Sequence, residues 1–139
     1  MIKIRIGMSD TKIGANVILV KDGKILLLLR AGGWKTGRWG PPGGGADPGE
    51  TPERAAVRET YEESGLRVKP EDLKLLIQRT KHDYGMIYFY ITDKFSDRGV
   101  ALSHEHSGFS WADMKRIDEL DTTFQPDELA IIKKAVLSY

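Results

Sequence analysis

The 139 residues contain no cysteine, and that absence removes disulfides, thiolate zinc sites and cysteine nucleophiles together. Any resident metal is left with oxygen ligands or with the three histidines. Apolar runs are short, Ile25–Leu29 among them, so no stretch is long enough to span a bilayer. The N-terminal MIKIRIGMSD has no apolar segment closed by a small-residue cleavage site, which argues against a secretory signal. A cytoplasmic protein with no membrane attachment is the expectation. Charge of one sign is also scarce: the formal net charge is +1 and no block of five like charges occurs, so no general nucleic-acid surface is expected. Small anionic substrates stay open. The length suits one core and is too short for two, so a single domain over residues 1–139 is expected.

What is present is unevenly distributed. The stretch Gly44–Leu66, GGADPGETPERAAVRETYEESGL, holds Asp47, Glu50, Glu53, Glu59, Glu62 and Glu63 against only Arg54 and Arg58. Its charge is near −4 in a chain whose total is +1, leaving +5 for the remainder. Like charges three and four residues apart repel, so such a helix is costly unless something neutralises it, and a divalent cation is the natural candidate.

Around that stretch the pattern alternates between strand and helix. Ile2, Ile4 and Ile6 alternate with Lys3 and Arg5, the period of a half-buried strand, and a second strand is expected over Ala15–Val20. Asp22-Gly23 between two apolar runs marks a tight hairpin, and the unbroken run Ile25–Leu29 suggests a strand covered on both faces. From Ala31 to Gly49 the chain has eight glycines and three prolines in 19 residues, which predicts an ordered functional loop without regular elements, its basic residues Arg30, Lys35 and Arg38 placed to hold phosphates. Thr51 and Pro52 open the acidic helix as cap and first residue, and Gly65 closes it. On that helix Glu59, Glu62 and Glu63 fall within about 100° of one another, predicting an acidic face opposite a packing face of Val57, Thr60, Tyr61 and Ser64. Strands follow at Leu73–Arg79 and Tyr84–Thr92, then a loop over Ser103–Ser107, a short strand at Phe109–Trp111 and a terminal helix from Pro126 to Tyr139.

Glycine at 44, Glu50 after five residues, Arg58-Glu59 after seven more, then Glu62-Glu63, Gly65 and Leu66 resemble the Nudix box, the signature of the Nudix hydrolases, over its full 23 positions. One position departs from the pattern: Thr60 stands where the family carries an aliphatic residue. The resemblance implies an α/β fold, a Nudix-type α/β/α sandwich with a mixed β-sheet between helices. It further implies Mg²⁺- or Mn²⁺-dependent hydrolysis of a nucleotide pyrophosphate bond, with Glu59, Glu62 and Glu63 as metal ligands and a backbone carbonyl near Gly43 adding an oxygen. Arg58 would hold the carboxylates, and Glu50 would close the loop onto the helix as a structural residue or as a contributor to the metal site. Glu105 stands where many members carry a further acidic residue that binds metal or acts as general base, a role weighed against an exposed polar loop. The residues alone agree, since carboxylates spaced three and four apart on one helix suit a hard cation that bridges pyrophosphate oxygens.

The remaining candidates are less specific. Trp34, Tyr84 and Phe124 are candidate base-stacking residues, each weighed against a role in the core. His104 and His106 form a possible chelating pair weighed against an ordinary polar loop, and His82 reads as surface. The Trp39-Gly40-Pro41-Pro42 segment and Thr60 look like the dinucleoside polyphosphate hydrolases, whereas Gly43 and Gly45 replace the lysine and histidine usual there and look like nucleoside triphosphate pyrophosphatases. The favoured expectation is a triphosphate or modified nucleotide cleaved to monophosphate and pyrophosphate. Dinucleoside polyphosphate hydrolysis is the alternative, and a non-catalytic nucleotide-binding domain is a further one. Members of the family often form homodimers, and Ile2–Ile6 suits an edge or exchanged strand.

Overall fold

The computed structural model describes residues 12–33, 35–96 and 98–139; the strand expected at Ile2–Ile6 and the ring of Trp34 lie outside them. Strands β1 (Lys12–Lys21) and β2 (Lys24–Arg30) form the expected hairpin. Asp22 and Gly23 have φ of 53° and 73°, as a turn with two left-handed residues requires. Two short strands follow, β3 (Trp39–Gly40) and β4 (Gly43–Gly45), then helix α1 (Pro52–Ser64) and a single 3₁₀ turn at Pro70–Asp72. β5 (Lys74–Lys81), β6 (Gly85–Thr92), β7 (His106–Asp113), α2 (Met114–Glu119) and α3 (Pro126–Val136) complete the chain.

The seven strands make one mixed sheet in which β3, β2, β1, β6 and β5 are successive neighbours. β1 and β6 run parallel, and the other pairs are antiparallel. One edge of β1 changes partner along its length: Gly14–Asn16 pair with β4, and Val20–Lys21 pair with β2. That handover brings the glycine segment beside the middle of the sheet. Core residues fall into two clusters, one on each face. Ile18, Val20, Leu27, Ile91, Ile117 and Ile132 pack on the side of α2 and α3, while Val17, Leu19, Leu28, Ala55, Ala56 and Tyr90 pack on the side of α1. Helices cover both faces, so the molecule is the expected α/β/α sandwich.

Several expectations need correction. The glycine-rich segment does contain regular elements, because β3 pairs with β2 and β4 with β1. Glycine is what makes the second pairing feasible: a Cβ on Gly43 would lie 2.4 Å from Asn16 Oδ1 and 2.5 Å from the Ala15 carbonyl oxygen. β7 begins at His106, earlier than the strand expected at Phe109–Trp111, and α2 had no counterpart in the sequence reading. The terminal helix stops at Val136. Helix α1 itself starts and ends as expected, with Thr51 Oγ1 accepting the Arg54 N–H at 3.2 Å and Gly65 at φ 75°.

The expected division of α1 into an acidic face and a packing face holds only in part: Thr60 and Ser64 are buried as expected, but Glu63 is buried with them and Tyr61 is not. Tyr61 is 45% exposed, whereas Glu63 is only 5% exposed and shares its side of the helix with Ala55, Ala56 and Thr60. The carboxylates at 59 and 63 therefore point inward, toward β4. Only Glu62 is turned outward.

Candidate active site

β4 delivers backbone to α1 at a distance no side chain would tolerate. A Cβ on Gly44 would sit 2.6 Å from Cδ of Glu59 and within 2.8 Å of both its oxygens. One residue earlier, the Gly43 N–H donates to Glu63 Oε1 at 2.9 Å. The register of β4 against β1 fixes both contacts.

Arg58 gathers the remaining groups. Its Nε and Nη2 donate to the two oxygens of Glu50, each at 2.9 Å, a bidentate fork. Nη1 donates to Glu59 at 3.0 Å and to Glu62 at 2.9 Å, while Nη2 also reaches the Gly45 carbonyl at 3.0 Å. Glu50 in turn accepts the Asp47 N–H at 2.9 Å. These bonds hold its carboxyl down at about 2, chiefly through Arg58, and they raise Arg58 above the usual guanidinium value. Glu50 is thus a strut that fastens loop to helix, as the sequence resemblance implied.

Glu59 and Glu63 behave differently because they are buried. Desolvation pushes Glu59 upward against the pull of Arg58. Glu63 is pushed to about 8, first by burial and then by the charges of Glu59 and Glu105, although the Gly43 N–H opposes the shift. Glu59 and Glu63 therefore share one poorly solvated space, and the charge of the exposed Glu105 reaches it from a second segment. An all-oxygen set of carboxylates that Arg58 neutralises only in part suits a hard divalent cation and suits no soft one. As the side chains stand, no three of His, Asp and Glu among the described residues are grouped around a single point. Arg58 and the Gly43 amide hold them instead.

Glu105 is placed by its backbone. Its carbonyl accepts the Ala31 N–H at 2.9 Å, and its own N–H donates to Ser103 Oγ at 3.3 Å. The next residue, His106, is buried with Nδ1 lacking a partner, and burial together with the Arg30 charge lowers its pKa. His104 is exposed, so the two imidazoles occupy different environments. His82 is exposed, as expected.

Two of the expected phosphate-binding cations, Lys35 and Arg38, are tied to the segment before α3. Lys35 Nζ donates to the Thr123 carbonyl at 3.3 Å, and burial followed by the charges of Lys81, Arg38 and Arg30 lowers its pKa. Arg38 also pairs with Asp121 at 3.5 Å. The Arg30 charge bears on both His106 and Lys35. Tyr84 lies against the Gly45 backbone: its hydroxyl donates to the Ile13 carbonyl at 3.4 Å, a Cβ on Gly45 would lie 3.3 Å from the hydroxyl oxygen, and burial plus the Glu59 charge raise its pKa. Phe124 packs on the core against Phe89, ring centroids 6.2 Å apart. Sequence reasoning missed Lys81, whose charge bears on Lys35 from the end of β5, and Asn16, whose Nδ2 donates to the Tyr88 carbonyl at 3.4 Å behind Gly43. A lone asparagine within the apolar run of β1 was the available signal.

Comparison with known proteins places this geometry. A family model described as NUDIX domain matches residues 10–135. The nucleoside triphosphatase NudI of Enterobacter sp. is 31% identical, over 86% of this chain and 94% of its own. The asymmetrical bis(5'-nucleosyl)-tetraphosphatase of Caenorhabditis elegans is also 31% identical, over 67% of this chain and 71% of its own. Other curated relatives are matched over less of their length, 65% for one and 31% for another. Among solved structures, a MutT NUDIX hydrolase from Burkholderia pseudomallei superposes with a TM-score of 0.74 at 25% identity, covering 88% of this chain and 96% of that one.

Proposed function

The chain belongs to the NUDIX family and is a hydrolase, and from that premise we propose that it cleaves a pyrophosphate bond in a nucleoside diphosphate derivative with Mg²⁺ or Mn²⁺ as cofactor. The preferred substrate is a nucleoside triphosphate or modified nucleotide, giving monophosphate and pyrophosphate. The observation that carries this reading is the packing of the Gly43–Gly45 backbone on the Glu59 and Glu63 carboxylates, with Arg58 bonded to Glu50, Glu59 and Glu62 beside them. Acidic groups suit metal, and basic groups suit phosphate.

Glu59, Glu62 and Glu63, with a backbone carbonyl near Gly43, are the residues assigned to hold the ion. A bound divalent cation supplies charge neutralisation at the phosphate oxygens and lowers the pKa of coordinated water. The chain itself does the rest. Arg58 keeps Glu59 and Glu62 oriented through its charge-assisted bonds, so these side chains lose little freedom when substrate arrives. Glu105 is assigned as the base that takes the proton of the attacking water as the phosphorus–oxygen bond breaks. Arg30, Lys35 and Arg38, joined by Lys81, neutralise the phosphates, and Tyr84 lies beside the Gly45 backbone at the edge of the site, where it can touch substrate.

The tetraphosphatase relative supports a second reading, in which a dinucleoside polyphosphate is the substrate. A panel of nucleoside triphosphates, modified nucleotides and a dinucleoside tetraphosphate with Mg²⁺, resolved by chromatography, separates the two. Triphosphate turnover to monophosphate is the expected result; release of ATP from the tetraphosphate without triphosphate turnover replaces it with the second reading. Nucleotide binding without turnover under any divalent ion would point to a binding domain. Glu63→Gln should lower kcat by about 10³-fold or more while leaving the far-UV spectrum unchanged, because it removes ligand charge from the metal set.

A further inference from the structure

Helix α1 has a second side that the hydrolytic site does not use. Val57 and Tyr61 lie roughly 160° around the helix from Glu59, and both line a cavity of about 490 Å³ between α1 and the segments that follow α1 and β6. Its two walls are tied together: the Arg67 N–H donates to Ser96 Oγ and the Ser96 N–H donates to the Arg67 carbonyl, both at 2.9 Å. These reciprocal bonds fix the two segments against each other. Val68 is buried at the floor, and Phe95 is stacked on Trp111 with centroids 5.8 Å apart. The rim carries Arg67, Lys69 and Lys94 against the single acid Asp72. The Arg67 guanidinium lies 4.1 Å over the ring of Tyr61, and both residues line the cavity.

We propose that this cavity is a second ligand site, separate from the hydrolytic centre, for a small phosphorylated aromatic compound of nucleoside monophosphate size. Three properties lead there. The excess of three cations over one acid favours an anion and disfavours a cation. The volume falls in the range of small-molecule sites, roughly 300–1,000 Å³, and an inorganic phosphate would leave the apolar floor of Val57, Val68 and Phe95 uncovered. A flat ring stacks on a guanidinium plane already positioned by Tyr61, so little freedom is lost on binding. This inference goes beyond the hydrolytic reading and does not depend on it, since none of these residues belongs to the carboxylate or cation groups of the active site.

Adenosine monophosphate titrated into ¹⁵N-labelled protein in the presence of a chelator provides the test. The expected result is saturable shifts at Val57, Tyr61, Val68 and Ser96 with a Kd below about 1 mM. Lys94→Glu should weaken this binding about tenfold, as should Arg67→Ala, and inorganic phosphate or adenosine alone should bind at least about tenfold more weakly than the nucleotide. Nucleotide hydrolysis by Lys94→Glu should remain within about twofold of wild type, because Lys94 lies outside the hydrolytic machinery. Shifts confined to Gly43–Gly45, or none, would overturn the site. Equal affinity for inorganic phosphate would overturn the aromatic part of the ligand, and unchanged affinity in the exposed Lys94→Glu variant would overturn the role of the rim.

Discussion

Thr60 carries a hydroxyl into a fully buried position on α1, and its Oγ1 has no hydrogen-bond partner. Desolvating a hydroxyl without recompense is unfavourable, and valine has nearly the same shape without the polar atom. Thr60→Val is therefore expected to stabilise the folded state by about 1–2 kcal/mol, read as a higher denaturant midpoint at unchanged m-value. The same reasoning in reverse applies to Gly44. A Cβ there meets the Glu59 carboxylate at 2.6 Å, too close for either group to stay in place. Gly44→Ala should displace Glu59 and lower kcat by at least about tenfold, with a stability loss of about 1–3 kcal/mol from overpacking. If the variant keeps wild-type kcat, the close approach of β4 is not what positions Glu59. Both residues were visible in the sequence, Thr60 as an exception to the box and Gly44 as its first position. The exception gained a physical meaning only when its burial and its missing partner were known.

For the element, α1 shows which kinds of information a sequence carries. Its caps were legible because Thr51, Pro52 and Gly65 act within one turn of themselves. Its orientation was not, since a helical wheel sends charge to solvent by default. The inward turn of Glu59 and Glu63 depends on glycine backbone from β4, and nothing local to the helix encodes that pairing. Lys81 was missed for the same reason: it joins Lys35 only through the tertiary fold. The bond between loop and helix has a pH signature. Glu50 is held at about 2 against an ordinary 4.5, so its contribution is fully present above about 4.5 and is lost as pH falls toward 2. Glu50→Gln should flatten that part of the acid limb in a stability-against-pH series, while the unfolding midpoint at neutral pH should fall because the Arg58 fork is weakened. An acid limb of unchanged steepness in the variant would mean that other carboxylates govern acid unfolding.

The whole molecule is a nearly neutral protein built around a strongly acidic segment. Gly44–Leu66 carries about −4 while the rest carries +5, and the fold does not mix the two evenly. Arg58 satisfies Glu50, Glu59 and Glu62, yet Glu63 keeps a raised pKa, first through its burial and then through the charges of Glu59 and Glu105. The folded chain therefore holds a concentration of negative charge that the unfolded chain disperses, and a cation seated there binds the folded state alone. By mass action, Mg²⁺ at about 100 times its Kd should raise unfolding free energy by about 2.7 kcal/mol, with Tm increasing steadily as the concentration rises. Screening by salt would also relieve repulsion, but a monovalent salt matched in ionic strength acts on every surface charge and lacks a saturating curve. The discriminating measurement is thus a Tm series in Mg²⁺ and in matched KCl, repeated for Glu63→Gln and Glu59→Gln. Saturable stabilisation by Mg²⁺ alone, lost or shifted at least about tenfold in concentration in both variants, is expected from a carboxylate site on the inward face of α1. Equal shifts from both salts, or Mg²⁺ curves that ignore both substitutions, would place the ion elsewhere and detach the acidic segment from metal binding.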